Sequence, residues 1–520
     1  MNPMASSTAS THPQPAVVGL LVLAVFVSFF LGLGDVPLFD LDEGAFTEAT
    51  REMLQRRDFI STWLNGVPRF DKPVLIYWLQ AASVTLFGQS EWAFRLPSAL
   101  CASAWVWVVF AFVRRERGAS AGLLAAGITA TAAGITVIGR AAIADALLNL
   151  LIVSAMASAY LHLSGGGRRW LDLSFAAIGL GLLAKGPVAI LVPLAVTGLY
   201  CASHGQWRVW LRSIFDLRGI AILLAIAAPW YIAQYLSQGD AFIQGFFFKH
   251  NVDRFSAPMH GFNGSLFFYL PWLLVATLPF TTLLLNLLRH LRPIWADPLQ
   301  RFCLIWFGFV LVFFSLSGTK LPHYAFYGYT GLFVLMALNA PRLRSPVLML
   351  LPALVVFVLL ACLPWGLDKA VGHVPDPYYR EAVASIQGQL GHTYFLALAL
   401  AIGTTLLMMR VPGLSLTTRL LSVSILQAAL IASFILPAAG QAQQSPVKEA
   451  AAVARARNDQ VVMWKIDVPS FLVYSGRLVE KREPRPGDVV LTKSKHRSAL
   501  PSHQVLYEKN GVALVSLDRS

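Results

Sequence analysis

Asp42 and Glu43 stand side by side in the stretch LFDLDEGAFTEATREM, with Asp40 before them and Glu48 after. Carboxylates crowded at the start of a helix-forming run can accept a hydroxyl proton, or stabilise positive charge developing at a carbon centre. Asp145, which closes the short turn GRAAIAD, is a third candidate for that chemistry. Two plainer roles remain open: Asp42 as a helix cap and Asp145 as the ion-pair partner of Arg140. A second set is cationic. Lys72 and Lys185 each precede a proline or a Gly-Pro pair where apolar runs meet polar loops, and Arg254 and Lys320 lie in two further loops. Several cations meeting at one membrane edge suit a phosphate on a lipid carrier; snorkelling to lipid headgroups is the alternative for each taken singly. A third set is Asp71 with His250 and His260. Carboxylate plus imidazole is a donor set for a divalent metal such as zinc, although the spacing matches no zinc signature and ordinary loop histidines read the same way. His323, in GTKLPHY, is open in the same sense.

These residues need elements to hold them, and composition says which. Of 520 residues, 56% are hydrophobic and only 13% are charged, about half the charge that a water-facing surface carries. The apolar runs are continuous rather than alternating, which argues for helices rather than a barrel. We expect about thirteen spans near the ~20 residues needed to cross a bilayer: 16–33, 97–113, 120–138, 142–163, 170–184, 187–202, 219–237, 264–288, 302–317, 322–340, 346–365, 392–410 and 417–437. The net charge of +14 does not imply nucleic acid, because Arg114, Arg115, Arg117, Arg168, Arg169, Arg208, Arg212, Arg289, Arg292, Arg342 and Arg344 fall in alternate short loops. That bias sets topology and makes their side cytoplasmic. The N-terminal tail 1–15 lies on that side. It has no Lys or Arg, so the first apolar run is expected to stay as a permanent helix rather than a cleaved signal. All the candidate residues then share the opposite, outer face. The four cysteines all lie in apolar runs and read as small buried side chains.

The outer loop 34–96 follows the first span of a membrane domain 16–440. Phe46, Ala49 and Met53 recur at helical spacing while Arg51, Glu52, Arg56 and Arg57 occupy the rest of the surface, a pattern for a helix lying at the interface. VLIYWLQAASVTLFG after Pro73 is expected to be a second interfacial helix or a partial insertion. From about 441 to 520 the composition changes to that of a small α/β domain. PVKEAAAVARAR reads as a helix, and QVVMWKI, FLVYS, DVVLTK and VALVSL read as strands, with turns at Pro484–Gly487 and Asn510-Gly511.

The motifs LDEGAFTEATREM, LNGVPRFDKPVLIYWLQA, WAFRLPSAL, RAAIADALL, LLAKGPVA, FKHNVDRF and FSLSGTKLPHY, in this order over residues 16–340, resemble the periplasmic glycosyltransferases of the lipid A aminoarabinose transferase type, related to protein mannosyltransferases. That resemblance implies a GT-C fold and an undecaprenyl-phosphate-linked sugar donor. It places Asp42 and Asp145 in a catalytic cavity and Lys72 at the donor phosphate; by position alone Glu43 joins the first set, and Lys185, Arg254 and Lys320 join the second as further cations. It also suggests a metal near Asp71, with His260 as partner. The chain reads DEGAFTE where that family reads DETRYAE, and DKP where it reads EKP.

The expected function is inverting transfer of a sugar from a polyprenyl phosphate to a lipid A, lipopolysaccharide-type or other envelope acceptor. The enzyme would sit in the bacterial inner membrane, with membrane lipids around it, a periplasmic C-terminal domain and no nucleotide cofactor. A polyprenyl-lipid transporter or flippase is the rival. Transporters hold their polar sites near mid-bilayer, often on repeats; here the ionisable groups gather at one face.

Overall fold

A computed structural model describes residues 15–253, 264–371, 373 and 377–519. Among the described residues, seven helices are long and apolar enough to cross a membrane: 91–117, 145–163, 217–238, 298–316, 346–369, 392–410 and 416–443. Shorter apolar helices cover Pro15–Phe29, Leu75–Phe87, Ala119–Thr131 and Val188–Ser203. The apolar runs read from the sequence are helical, but several are divided. The run 120–138 breaks at Ala132, and 264–288 forms helices Tyr269–Ala276 and Thr281–Leu288 on either side of Leu278-Pro279, where proline supplies no N–H. Among the described residues, seven helices thus meet the length and composition of a crossing, and the expected count of about thirteen is not reproduced by those criteria.

Helix starts follow from local chemistry. The side chains of Ser90, Asp216, Asp297 and Ser415 accept hydrogen bonds from backbone N–H groups three residues on, satisfying donors that a helix leaves open. Burial then ranks the bundle. Within 145–163, 78% of the span is buried, against 22% for 217–238, 346–369 and 392–410, so the first is central and the others form the rim. Leu236, Leu359, Leu396 and Leu400 stay exposed on these rim helices, as lipid-facing residues do. Tetrads such as Trp105, Trp306, Tyr327 and Tyr329 fill the interior; the two indole nitrogens donate to Thr330 Oγ1 at 2.8 Å and the Tyr327 carbonyl at 2.7 Å, which keeps their burial from leaving an unpaired donor.

The first loop forms helix Asp42–Arg56, a small hairpin of β1 (Trp63–Leu64) and β2 (Val67–Pro68), and helix Leu75–Phe87. Phe46, Ala49 and Met53 are buried, as their spacing predicts. Arg51 and Glu52, expected on the surface, are buried too, with 6% and 1% exposure. The physical reason is a second layer: the C-terminal region packs on the polar side of this helix. Arg51 forks onto Glu48 at 2.7 and 2.8 Å and reaches the Gly476 carbonyl, while Glu52 accepts from the Gly66 N–H at 3.2 Å. The helix is thus clasped between layers instead of lying with a charged face to water. Helix Leu75–Phe87 has 13 residues, too few to cross at 1.5 Å each.

The C-terminal region is a five-stranded sheet in the order β4 (Glu480–Lys481), β3 (Val461–Met463), β5 (Val489–Lys493), β7 (Val512–Leu517) and β6 (His503–Lys509). β3 pairs in parallel with β4 and β5, and β7 runs antiparallel to β5 and β6. PVKEAAAVARAR forms the expected helix, Ser445–Ala456, and three of the expected strands are present. FLVYS is a helix, Ser470–Ser475, not a strand. Parallel strands β3 and β4 need a crossover, which a helix provides, and Gly476 at φ +72° ends it. A short apolar run cannot decide that choice alone.

This helix meets the first loop at Gly44. A Cβ on residue 44 would stand 2.6 Å from the Ser470 nitrogen and against the Asp40 carboxylate, so only glycine lets the two layers close. Gly44→Ala is expected to cost about 1–3 kcal/mol through overpacking; thermal unfolding of the purified protein in detergent would measure it, and an unchanged midpoint would refute the contact.

Candidate active site

The site is built at one end of the bundle, around a buried ion pair. Arg95 enters from helix Glu91–Arg117 and uses all five of its N–H donors. Nε and one Nη2 hydrogen go to Glu43 at 2.9 and 2.6 Å, and the others reach the carbonyls of Leu33, Val36 and Pro37 at 3.1, 2.6 and 3.0 Å. Glu43 is equally filled: beyond Arg95 it accepts from the N–H groups of Phe39 at 2.9 Å and Ala142 at 2.6 Å. Burial works to raise the Glu43 carboxyl, but the Arg95 charge and these hydrogen bonds overcome it and hold the group below the usual carboxylate range. A carboxylate with four donors on it has no lone pair to offer a substrate. Glu43 instead ties the helix that carries Asp42 to the turn Ala141–Ile143, two residues before Asp145.

Asp42 is different. It is the first residue of its helix, it is exposed, and the helix start has no side-chain cap bond. It opens into a cleft of about 200 Å³ with Glu43, Arg95, Arg140 and Ile143 on its walls. Among the carboxylates of this stretch, Asp40 is taken by Ser470 (N–H at 2.8 Å, Oγ at 2.5 Å) and Glu48 by Arg51. Asp42 makes no hydrogen bond or ion pair among the described residues.

Asp145 starts the central helix and is buried. Its Oδ1 accepts from Lys185 Nζ at 2.7 Å and from the Tyr327 hydroxyl at 2.9 Å. Arg140, the partner considered from sequence, donates to the Leu31 carbonyl at 2.5 Å instead. Lys185 also sits 5.4 and 5.6 Å from the ring centres of Tyr327 and Tyr324, a cation–π cradle, and the His323 ring stands edge-on to Tyr324 with ring centres 5.0 Å apart. Gly186, at φ +81°, ends the Lys185 helix and leaves room for the Phe246 ring, which a Cβ would meet at 2.5 Å.

Asp71 and Lys72 form a third cluster. Lys72 Nζ is 2.8 Å from Asp71 Oδ1, Arg69 donates to Oδ2 at 3.1 Å, and His250 Nδ1 lies 3.3 Å from Oδ1. Burial works against the Arg69 charge, but the nearby Tyr77, Asp71 and Asp42 raise the group above its ordinary value, so it stays a cation. Two cations already lie on Asp71, and among the described residues no group of three His, Cys, Asp or Glu could hold a metal. His260 and Arg254 lie outside the described residues. Lys320 is buried and donates to the Ser317 carbonyl at 2.8 Å; it makes no ion pair among the described residues.

Sequence reasoning passed over Arg95, Arg69 and Tyr327. The signal for Arg95 was present: an arginine at the start of an apolar span needs a partner. Nothing local marks Tyr327, whose role comes from a helix 182 positions away.

Asp40 gives this end of the molecule a pH dependence. Burial pushes its carboxyl from 3.8 up to about 7, against the Ser470 hydrogen bonds. A carboxyl raised in the fold holds its proton more tightly there than in the unfolded chain. Its contribution is whole below about pH 4 and is lost as pH rises through about 7. Stability is therefore expected to fall between about pH 4 and about pH 7. Asp40→Asn, which keeps an acceptor for Ser470, should flatten that fall; parallel slopes of Tm against pH for the two proteins would refute it.

The chain is similar to several known proteins. Residues 71–232 match the family model described as dolichyl-phosphate-mannose-protein mannosyltransferase. An uncharacterized protein of Aquifex aeolicus is 30% identical over 317 residues, covering 61% of this chain and 71% of its own length. The undecaprenyl phosphate-alpha-4-amino-4-deoxy-L-arabinose arabinosyl transferase of Aeromonas hydrophila is 32% identical over 336 residues, covering 61% of this chain and 59% of its own. The chain thus spans under two thirds of that transferase's length. In fold, the crystal structure of ArnT from Cupriavidus metallidurans bound to undecaprenyl phosphate superposes with a TM-score of 0.81 at 20% identity, over 97% of this chain and 98% of that one.

Proposed function

Since the chain belongs to the lipid A aminoarabinose transferase-like family of GT-C membrane proteins, we propose that it moves a sugar from an undecaprenyl-type phosphate to lipid A or another envelope glycoconjugate. The reaction takes place on the periplasmic face of the inner membrane. The N-terminus and the Arg-rich loops are cytoplasmic, and the C-terminal sheet is periplasmic. The observation that carries the reading is the division of work among neighbouring acids: Glu43 is filled by four donors and Asp40 is held by Ser470, whereas Asp42 faces an open cleft with no hydrogen bond among the described residues.

The acceptor oxygen attacks the anomeric carbon as the bond from that carbon to the phosphate oxygen breaks, with inversion. The hydroxyl proton passes to Asp42, and the leaving phosphate keeps the bonding pair. For a phosphate acceptor no base is needed, and Asp42 steadies the positive charge developing on the sugar ring. Lys72, backed by Arg69, and Lys185, anchored by Asp145, are the cations for the carrier phosphate; Lys320 and Arg254 belong to the same expected set. Asp145 thereby acts by holding Lys185, and Glu43 by positioning Asp42.

The test is turnover in proteoliposomes of an undecaprenyl-phosphate-linked aminosugar with lipid A. Sugar on lipid A together with free undecaprenyl phosphate is the expected result. Passage of uncleaved donor between leaflets, with no free carrier, would make the protein a flippase instead. Lys72→Gln should raise the donor KM roughly 10–100-fold, the weight of one charge-assisted hydrogen bond at about 1.5–3 kcal/mol, with kcat much less affected. An unchanged donor KM would remove Lys72 from the phosphate site.

A further inference from the structure

A larger cleft lies on the same face, between the C-terminal sheet and helix Pro377–Gln389. Its volume is about 860 Å³, in the range of sites that enclose a ligand of several hundred daltons. Three features mark it as more than a seam. First, its sheet side is formed at the carboxyl ends of parallel strands: the residues after β3 (Trp464–Val468), those after β4 (Arg482 and Glu483) and Lys493 at the end of β5. Open parallel sheets bind ligands in the crevice outside those ends. Second, Lys465 holds a left-handed backbone, φ +55°. A non-glycine residue in that region is sparsely populated and tends to occur at ligand clamps. Its ammonium lies 4.2 Å from the Trp464 ring centre, is exposed, and makes no ion pair among the described residues. Third, Asp40 lines both this cleft and the smaller one that holds Asp42, so the two spaces meet at one residue.

The walls differ in character. Ala382, Val383 and Ile386 give an apolar side. The sheet side is polar: Lys481 pairs with Asp467 at 2.7 Å, and Trp464 Nε1 donates to Glu483 at 2.6 Å. The excess charge on that side is positive, because Lys465, Lys481, Arg482 and Lys493 outnumber Asp467 and Glu483. A molecule with hydroxyls and a phosphate at one end and hydrocarbon at the other matches both walls.

We propose that this cleft binds the phosphorylated saccharide headgroup of the acceptor lipid, with Lys465 and Lys481 as its phosphate contacts, and delivers the acceptor past Asp40 to Asp42. The identification of the occupant as acceptor rests on the transfer reading above. The C-terminal sheet is then a specificity element for the acceptor, separate from the cations that hold the donor.

The experiment uses the full-length protein in detergent, with the exposed pair replaced in Lys465→Glu/Lys481→Glu. With bisphosphorylated lipid A as acceptor, the acceptor KM should rise tenfold or more. Donor KM and the slow release of undecaprenyl phosphate to water should be unchanged, which also shows that the variant is folded. An unchanged acceptor KM, or a donor KM that rises equally, overturns the proposal. If the wild type cleaves no donor, the transfer reading fails by itself, and binding decides the cleft. Tighter binding of bisphosphorylated than of dephosphorylated lipid A, lost in the variant, supports it. Equal binding of the two forms, or equal competition by phosphatidylglycerol micelles, overturns it.

Discussion

Asp42→Asn is expected to lower kcat for sugar transfer by about 10²–10⁴-fold, the usual contribution of a positioned general base. Donor KM and thermal stability should hardly change. The asparagine is isosteric, and the Asp42 side chain is exposed and makes no hydrogen bond among the described residues. Those conditions make this substitution clean: what is lost is a site for a proton or a negative charge, not a brace. The same measurement with a phosphate-bearing acceptor separates two roles. A large loss with a hydroxyl acceptor and a small one with a phosphate acceptor assigns Asp42 as base. Equal losses assign it to charge stabilisation at the sugar. Wild-type turnover by Asp42→Asn with both acceptors would remove Asp42 from the chemistry altogether.

Breaking the Glu43–Arg95 pair should act in the opposite manner, with stability and activity falling together. Each partner is buried to about 5% side-chain exposure. Arg95→Met leaves a carboxylate in that place without its counter-charge and removes the only side-chain donors to the Leu33, Val36 and Pro37 carbonyls described here. Removing one partner of a buried pair typically costs about 3–5 kcal/mol, a large share of a typical 5–15 kcal/mol stability. Glu43→Gln should fall in the same range, because its amide must turn two hydrogens toward groups that are themselves donors. Lysine is no substitute for Arg95: five donors in a plane meet one carboxylate edge and three carbonyls, and an ammonium has three. Unfolding of Arg95→Met, Glu43→Leu and the double variant tests this. The double variant is expected to be less destabilised than the sum of the singles; strict additivity would mean that the two side chains act independently. Loss of activity without loss of stability in Glu43→Gln would place Glu43 back among the groups that act directly on the substrate.

The sequence was legible where the physics is local. Continuous apolar runs with few charges have one economical outcome in a bilayer, so the helical membrane class and the polar first loop followed from composition and spacing. Phe46, Ala49 and Met53 announced the buried face of their helix for the same reason. The C-terminal strands around Val461, Val489 and Val512 followed from β-branched runs bounded by turns. Residues 470–475 did not, since the four apolar residues Phe471–Tyr474 fit either a helix or a strand until their neighbours are known.

What only the tertiary structure decided is which charged side chain meets which. Asp42 and Glu43 adjoin in the chain and look interchangeable, yet one faces open space and the other is locked by Arg95, Phe39 and Ala142. Asp145 could have paired with nearby Arg140 and instead pairs with Lys185, forty positions on. Arg51 and Glu52 read as solvent-facing until the C-terminal layer covered them. The reason is common to all three. Apolar burial is roughly proportional to area and indifferent to partner, so a pattern in one segment predicts it. A buried charge is stable only with a particular counter-charge and a full set of hydrogen bonds, and those come from segments that only the packed fold brings together.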